Sequence, residues 1–253
     1  MPKRCRKEIR LAFGISLLPG LGLVAALMAG NDGLAALVFF STFGVIVIGT
    51  LVPRCAWFGS LVSSLPASAE GVCLTIDDGP DPAHTPALLD LLDQHQAKAV
   101  FFLIGNRAVC HPELVREIAR RGHLIGNHSE THPSATFWAL GPWRMWAEIA
   151  GCQQTLTQIT GAAPQWFRPP VGHHNLFVAA PLRALGLRMM MWNCRGYDAV
   201  EKDAAVVLRR IEKDLLPGAI VLLHDATPIC EEVLQGSLAL LKKSGLRAQL
   251  PCC

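Results

Sequence analysis

The sequence predicts an α/β fold, an incomplete (β/α) barrel preceded by an N-terminal hairpin of two transmembrane helices. Three observations carry this. Residues 11–30 and 33–52 each run for 20 positions without a charged side chain. From residue 71 onward, short apolar strand patterns take turns with amphipathic helical ones, which implies parallel strands joined by helical crossovers. The composition, 51% hydrophobic and 17% charged, excludes a disordered polar chain, and a net charge of +3 is too weak for a nucleic-acid binder.

The +3 is confined to the start. Residues 1–52 hold five basic side chains (Lys3, Arg4, Arg6, Lys7, Arg10) against two acidic ones (Glu8, Asp32), and the remaining residues hold 18 of each sign. Residues 1–10 therefore read as a basic tail that stays in the cytoplasm. Each apolar run rises about 30 Å as a helix, the thickness of the hydrocarbon core. Asn31-Asp32-Gly33 between them is turn chemistry, and Asp32 is costly at mid-membrane. Two crossings return the chain to the cytoplasm near Arg54.

Residues 11–30 also contain Pro19 and four glycines, which suits a re-entrant or signal-like segment. Only residues 33–52 then span, and everything after them faces the outside. Ala67-Ser68-Ala69 has the composition of a cleavage site but lies about 15 residues past the apolar run, too far for a signal peptide. A pair of buried helices in a soluble domain is the third option, and uncharged runs this long are rare there. The nine cysteines are odd in number, scattered, and without metal-finger spacing, which fits a reducing compartment. Residues 53–70 read as a linker with Trp57-Phe58 as an interfacial anchor, and residues 71–253 as the catalytic domain.

Within that domain, strands are expected at 71–76, 97–104, 123–127, 165–168, 187–192 and 219–224, with 247–250 as a seventh. Helices are expected at 85–96, 112–121, 142–160, 176–185, 203–215 and 231–243, and Gly122, Gly161, Gly186 and Gly245 fall where C-terminal caps belong. Six strands suit an incomplete barrel, with an open doubly wound sheet as the alternative.

The polar residues that need explaining sit where apolar strands end, which in a barrel is where loops build active sites. Thr75-Ile76-Asp77-Asp78-Gly79-Pro80 places two adjacent carboxylates after a buried strand, where they repel unless a cation or proton intervenes. His128-Ser129-Glu130-Thr131-His132 carries two histidines four apart, which converge on one metal if the stretch makes a helical turn. With an oxygen from Asp77 or Asp78 they form a two-histidine, one-carboxylate set with open positions. Arg168-Pro169-Pro170-Val171-Gly172 offers an arginine able to pair with a carboxylate in a stiff loop. Val221-Leu222-Leu223-His224-Asp225 ends an apolar strand in a histidine suited to proton transfer.

These segments, in this order over about residues 71–250, resemble the polysaccharide deacetylase family, carbohydrate esterase family four. The resemblance implies a distorted, incomplete (β/α) barrel that removes N-acetyl, sometimes O-acetyl, groups from sugars with one divalent metal, usually Zn2+. It implies Asp77 as catalytic base, Asp78, His128 and His132 as metal ligands, and Arg168 as the arginine orienting the base. It further implies the Val171 N–H at the oxyanion, Leu222 and Trp192 as pocket walls, and His224 as general acid.

Three departures stand out. Val171 occupies the place of the usual aromatic. The family's Asp-x-x-Asp-Trp segment is here Arg195-Gly196-Tyr197-Asp198-Ala199, so the usual partner of the acid is replaced by Arg195, and Asp198 is the available substitute. His173-His174 is unusual and is expected to be exposed loop. The expected partners are a carbohydrate or lipid-linked sugar and a membrane, with no nucleic acid. The rival expectations are a non-catalytic glycan- or partner-binding family member, and a hydrolase of another C–N bond such as a formamide.

Overall fold

The computed structural model describes residues 19–52, 55–56 and 61–251. The basic tail, the first part of the first apolar run and Trp57-Phe58 lie outside the described residues. Helix α1 (Pro19–Met28) and helix α2 (Asp32–Leu51) are joined through Asn31, whose side chain accepts from the Leu34 N–H at 3.0 Å and so caps α2. The two helices lie against each other: a Cβ at Gly22 would sit 3.8 Å from Val38. Among the described residues α2 alone is long and apolar enough to cross a membrane. Leu37 and Phe40 on it are 65% and 67% exposed, so its apolar surface is not part of the domain core.

The domain is built on eight parallel strands: β1 (Leu61–Val62), β2 (Cys73–Gly79), β3 (Ala99–Leu103), β4 (Leu124–Asn127), β5 (Trp166–Phe167), β6 (Arg188–Met190), β7 (Cys194–Arg195) and β8 (Ile220–His224). Their order is β1-β6-β5-β4-β3-β2-β8-β7. Helices α3 (Thr85–Gln94), α4 (Gly105–Cys110), α5 (Pro112–Arg120), α6 (Pro142–Thr160), α7 (Ala179–Leu185), α8 (Ala204–Asp214) and α9 (Cys230–Lys243) make the crossovers and the outer layer. Buried strands alternate between two cores. Val100 and Phe102 point into the barrel with Cys73, Phe167, Met190 and Leu222, whereas Phe101 and Leu103 point outward beneath the helices with Leu74, Val221 and Leu223. Gly126 in β4 is required by this packing, since a Cβ there would lie 2.4 Å from the Phe102 ring.

The sheet curls until one stretch of chain serves both of its ends. β6 pairs with β5 and β1, and after only Met191–Asn193 the same chain enters β7 and pairs with β8. Within residues 53–70, expected as linker, β1 adds to β6, and Ser64 then bridges Ala219 at the start of β8. The segment thus fills the seam of the incomplete barrel. Residues 247–250, expected as a seventh strand, contribute only a single parallel bridge, Val72 to Ala248. Gly161 and Gly186 end α6 and α7 in the left-handed conformation, with φ of 74° and 68°.

Candidate active site

Strand ends β2, β4, β5, β7 and β8 open on one cavity of about 180 Å³. Asp77 and His224 arrive side by side because β2 and β8 pair in register at those two residues. Asp77 is 2% exposed and meets a fully buried Arg168, whose Nη1 donates to Asp77 Oδ1 at 2.7 Å. The guanidinium also donates to Thr75 Oγ1 (2.8 Å) and to the carbonyls of Met190 and Met191 (3.0 Å each), and it lies 4.2 Å from the Phe102 ring centroid. A buried ion pair this well satisfied holds the carboxylate in one orientation.

On an ordinary strand Asp78 would point to the face opposite Asp77. Here its φ is 71° and the β2–β3 register slips between Asp77 and Gly79, so the second carboxylate turns back to the same cavity. A non-glycine residue in the left-handed region costs on the order of 1 kcal/mol, and such residues concentrate at functional sites. Arg107 donates to the Asp78 carbonyl at 2.7 Å and holds the turn. Behind it the buried Asp225 accepts from Thr85 Oγ1, and burial pushes its carboxyl up to about 6.

His128 and His132 converge without the helical turn expected from their spacing. The loop between them doubles back through left-handed residues, Ser129 at φ 66° and His132 at φ 52°. Asn127 Oδ1 accepts from the Ser129 N–H (3.0 Å), and Ser129 Oγ accepts from the His132 N–H (3.1 Å). His128 Nδ1 lies 2.8 Å from the Arg168 carbonyl, which fixes the ring and leaves Nε2 toward Asp78. Asp78 Oδ1 sits 3.4 Å from His128 Nε2 and 3.2 Å from His132 Nε2.

Those three side chains offer donor atoms within 4.8 Å of one another. Asp78 Oδ1 is buried and makes no hydrogen bond among the described residues, so the cluster fits a cation between its members. Burial raises the Asp78 carboxyl, but the surrounding imidazoles, His128 first, outweigh it and hold it well below the carboxylate range. Burial, aided by the charge of His128, pushes His132 down to about 4 and keeps it in the neutral form that ligates metals.

Across the cavity Asp198 takes His224 in two bonds. Its Oδ2 accepts from the His224 backbone N–H (2.7 Å) and its Oδ1 faces Nδ1 (2.9 Å). Burial alone lowers the His224 imidazole, but the Asp198 bond and the charges of Asp198, Asp77 and Asp78 raise it above the ordinary value. Val171 stands 48% exposed at the mouth with φ 50°, an unusual conformation for a β-branched residue. Its N–H has no hydrogen-bond acceptor among the described residues.

Of the residues expected from the sequence, Asp77, Asp78, His128, His132, Val171, Trp192, Leu222 and His224 all line this cavity. Arg168 and Asp198 lie behind it, each bonded to a lining residue. The lining also includes Arg195, Ala199 and Val200, which sequence reasoning left out of the site. Thr75 was missed too, although a polar residue inside an apolar strand is the signal for it. The expectation of an exposed His173-His174 is corrected: His174 is fully buried, and its N–H donates to the Thr50 carbonyl of α2 at 3.4 Å. The end of α2 covers it, a tertiary contact that no local pattern announces.

Residues 65–190 match the family model for polysaccharide deacetylase. The chain is 33% identical over 174 residues to peptidoglycan-N-acetylglucosamine deacetylase PgdA of Listeria monocytogenes, covering 69% of this chain and 36% of that one. It is 35% identical over 181 residues to chitooligosaccharide deacetylase of Rhizobium leguminosarum bv. trifolii, covering 70% and 79%. A solved structure of a CE4 family pseudoenzyme from Bacillus anthracis superposes with a TM-score of 0.70 at 26% identity, covering 75% of this chain and 66% of that one. The chain thus spans about a third of the length of PgdA and most of the rhizobial relative.

Proposed function

The chain belongs to the polysaccharide deacetylase family, and from that membership we propose that it is a membrane-anchored, metal-dependent hydrolase. Its reaction removes the N-acetyl group of an amino sugar in an envelope glycan or lipid-linked glycan precursor. The observation that carries the reading is the convergence of Asp77, the Asp78–His128–His132 cluster and His224 on one cavity.

Asp78, His128 and His132 would hold a divalent ion, which we take to be Zn2+, and it would supply a Lewis acid for the acetamide carbonyl and lower the pKa of water at the site. Asp77, aimed by Arg168, takes a proton from the attacking water. The water oxygen adds to the carbonyl carbon, and the Val171 N–H donates to the oxyanion that develops. His224 hands its proton to the nitrogen as the C–N bond breaks, because an amide nitrogen leaves poorly as an anion. Acetate and a free amino sugar result.

Asp198 sets the alkaline limit of this step. His224 must carry its proton to act, and the Asp198 carboxylate raises its pKa against the effect of burial. In Asp198→Asn burial wins, the imidazole loses its proton earlier, and the alkaline limb of the kcat/KM profile moves to lower pH. An unmoved limb in a pH–rate profile sinks this role for Asp198.

Membrane anchorage is supported by α2 and by its bond to His174, a few residues from Arg168. Asn175 ties the same loop to the carbonyls of Trp138 and Leu140, and Trp138 and Trp143 are exposed there, as interfacial aromatics are. With both apolar runs spanning, the basic tail sets the catalytic domain on the cytoplasmic side of the inner membrane, where a lipid-linked sugar is the fitting substrate. Acetate release from lipid-linked and polymeric N-acetylhexosamines by metal-replete protein tests the reaction, with formate release from an N-formyl substrate as a third arm; no acetate from either N-acetyl class overturns it. The likeness to a pseudoenzyme favours one rival, a glycan-binding member without activity. Tight glycan binding by a metal-free protein, with Asp77→Asn behaving as wild type, would establish that rival.

A further inference from the structure

Arg195 ends β7 beside Leu222 of β8 and lines the active-site cavity. It also lines an adjoining cavity of about 250 Å³ that includes Arg210, Lys213 and Asp214. Its guanidinium is stacked 4.0 Å from the Tyr197 ring centroid and 5.3 Å from that of Trp192. Stacking fixes the plane of the fork and leaves its N–H edges to bind. Among the described residues Nε is buried with no hydrogen-bond partner. The nearby carboxylate, Asp198, is engaged by His224. Arg210, on the far side of Tyr197, is satisfied by Glu201 (3.3 Å) and the Gly196 carbonyl (3.1 Å).

A half-buried, oriented guanidinium with carboxylates nearby but no ion pair among the described residues is a binding group for an oxyanion. Under the proposed reaction the hydrolytic end takes the acetamide, so the anion belongs to the sugar and not to its acyl group. We infer that Arg195 is a specificity-determining residue that binds an oxyanionic substituent, phosphate ester or carboxylate, on the acylamino sugar. Resting on the deacetylase reading, this narrows the substrate from neutral chitin-like glycan to an acidic or phosphorylated amino sugar. It also gives a physical reason for arginine where the resemblance leads one to expect aspartate. An aspartate there would repel such a substituent.

The test uses the full chain, zinc-loaded in nanodiscs, and measures binding of N-acetylglucosamine, N-acetylglucosamine 1-phosphate and N-acetylmuramic acid by titration calorimetry. Wild type is expected to bind at least one anionic probe about tenfold or more tighter than the neutral sugar, with the preference falling as salt rises. Arg195→Met should bring that ratio to about one, and Arg195→Lys should keep part of it. The phosphate and carboxylate probes separate the two sources of the anion. Equal binding of all three probes by wild type, or an unchanged ratio in a folded Arg195→Met protein, overturns the inference. An Arg195-dependent ratio without acetate release from any probe supports the anion site and counts against the proposed reaction instead.

Discussion

Asp77→Asn is expected to lower kcat/KM for acetate release by roughly 10³-fold, the usual weight of a positioned general base. The replacement is isosteric, and Arg168 keeps its bonds to Thr75 and to the carbonyls of Met190 and Met191. The guanidinium does lose a buried charge partner, so thermal stability falls as well. The two effects separate by measurement. Acetate release is followed well below the variant's melting temperature, and bound metal is quantified in the same sample. Retained metal with lost turnover assigns the loss to the base. Activity within a few-fold of wild type would remove Asp77 from the mechanism.

Withdrawal of the metal has a comparable effect by a different route. Protein stripped with a chelator is expected to lose acetate release to background and to regain it with added Zn2+. His128→Ala should lose both metal and activity without rescue. Apo protein should also melt lower than the loaded form, because an ion that binds only the folded cluster stabilises it by mass action. The proposed ligands are held in place, the His128 ring by the Arg168 carbonyl and the His132 backbone by Ser129. Undiminished turnover in chelated, metal-free protein would sink the metal-dependent reading.

Much of this was legible in the sequence because parallel strands buried on both faces leave a plain trace. They form short apolar runs that stop abruptly at polar residues, and Asp77, His128, Arg168 and His224 all follow such stops. What escaped is short or non-local. β1 and β7 have two residues each, too few for a periodicity, and their pairing is decided by the curl of the sheet. The His128–His132 spacing suggested a helical turn, yet backbone hydrogen bonds to the side-chain oxygens of Asn127 and Ser129 favoured a left-handed loop with the same convergence. His174 is polar in a polar stretch, yet it is buried and bonded to the end of α2. Arg195 showed as a departure from a family pattern, but its stacking between Tyr197 and Trp192 depends on how β7 meets β8.

The pairing of β2 with β8 has a consequence in time. Asp77 lies early in the domain and His224 near its end, and they become neighbours only when the last strand docks beside β2. Contacts so distant in sequence close late in folding and slowly. During synthesis the chain emerges N-terminus first, so Asp77 and both histidines precede the acid by the whole middle of the domain. A chain that has not yet formed β8 can gather its carboxylates and histidines, but it lacks the residue proposed as proton donor for the leaving nitrogen. Competence for the proposed reaction therefore awaits the docking of β8, after the apolar helices have already been made.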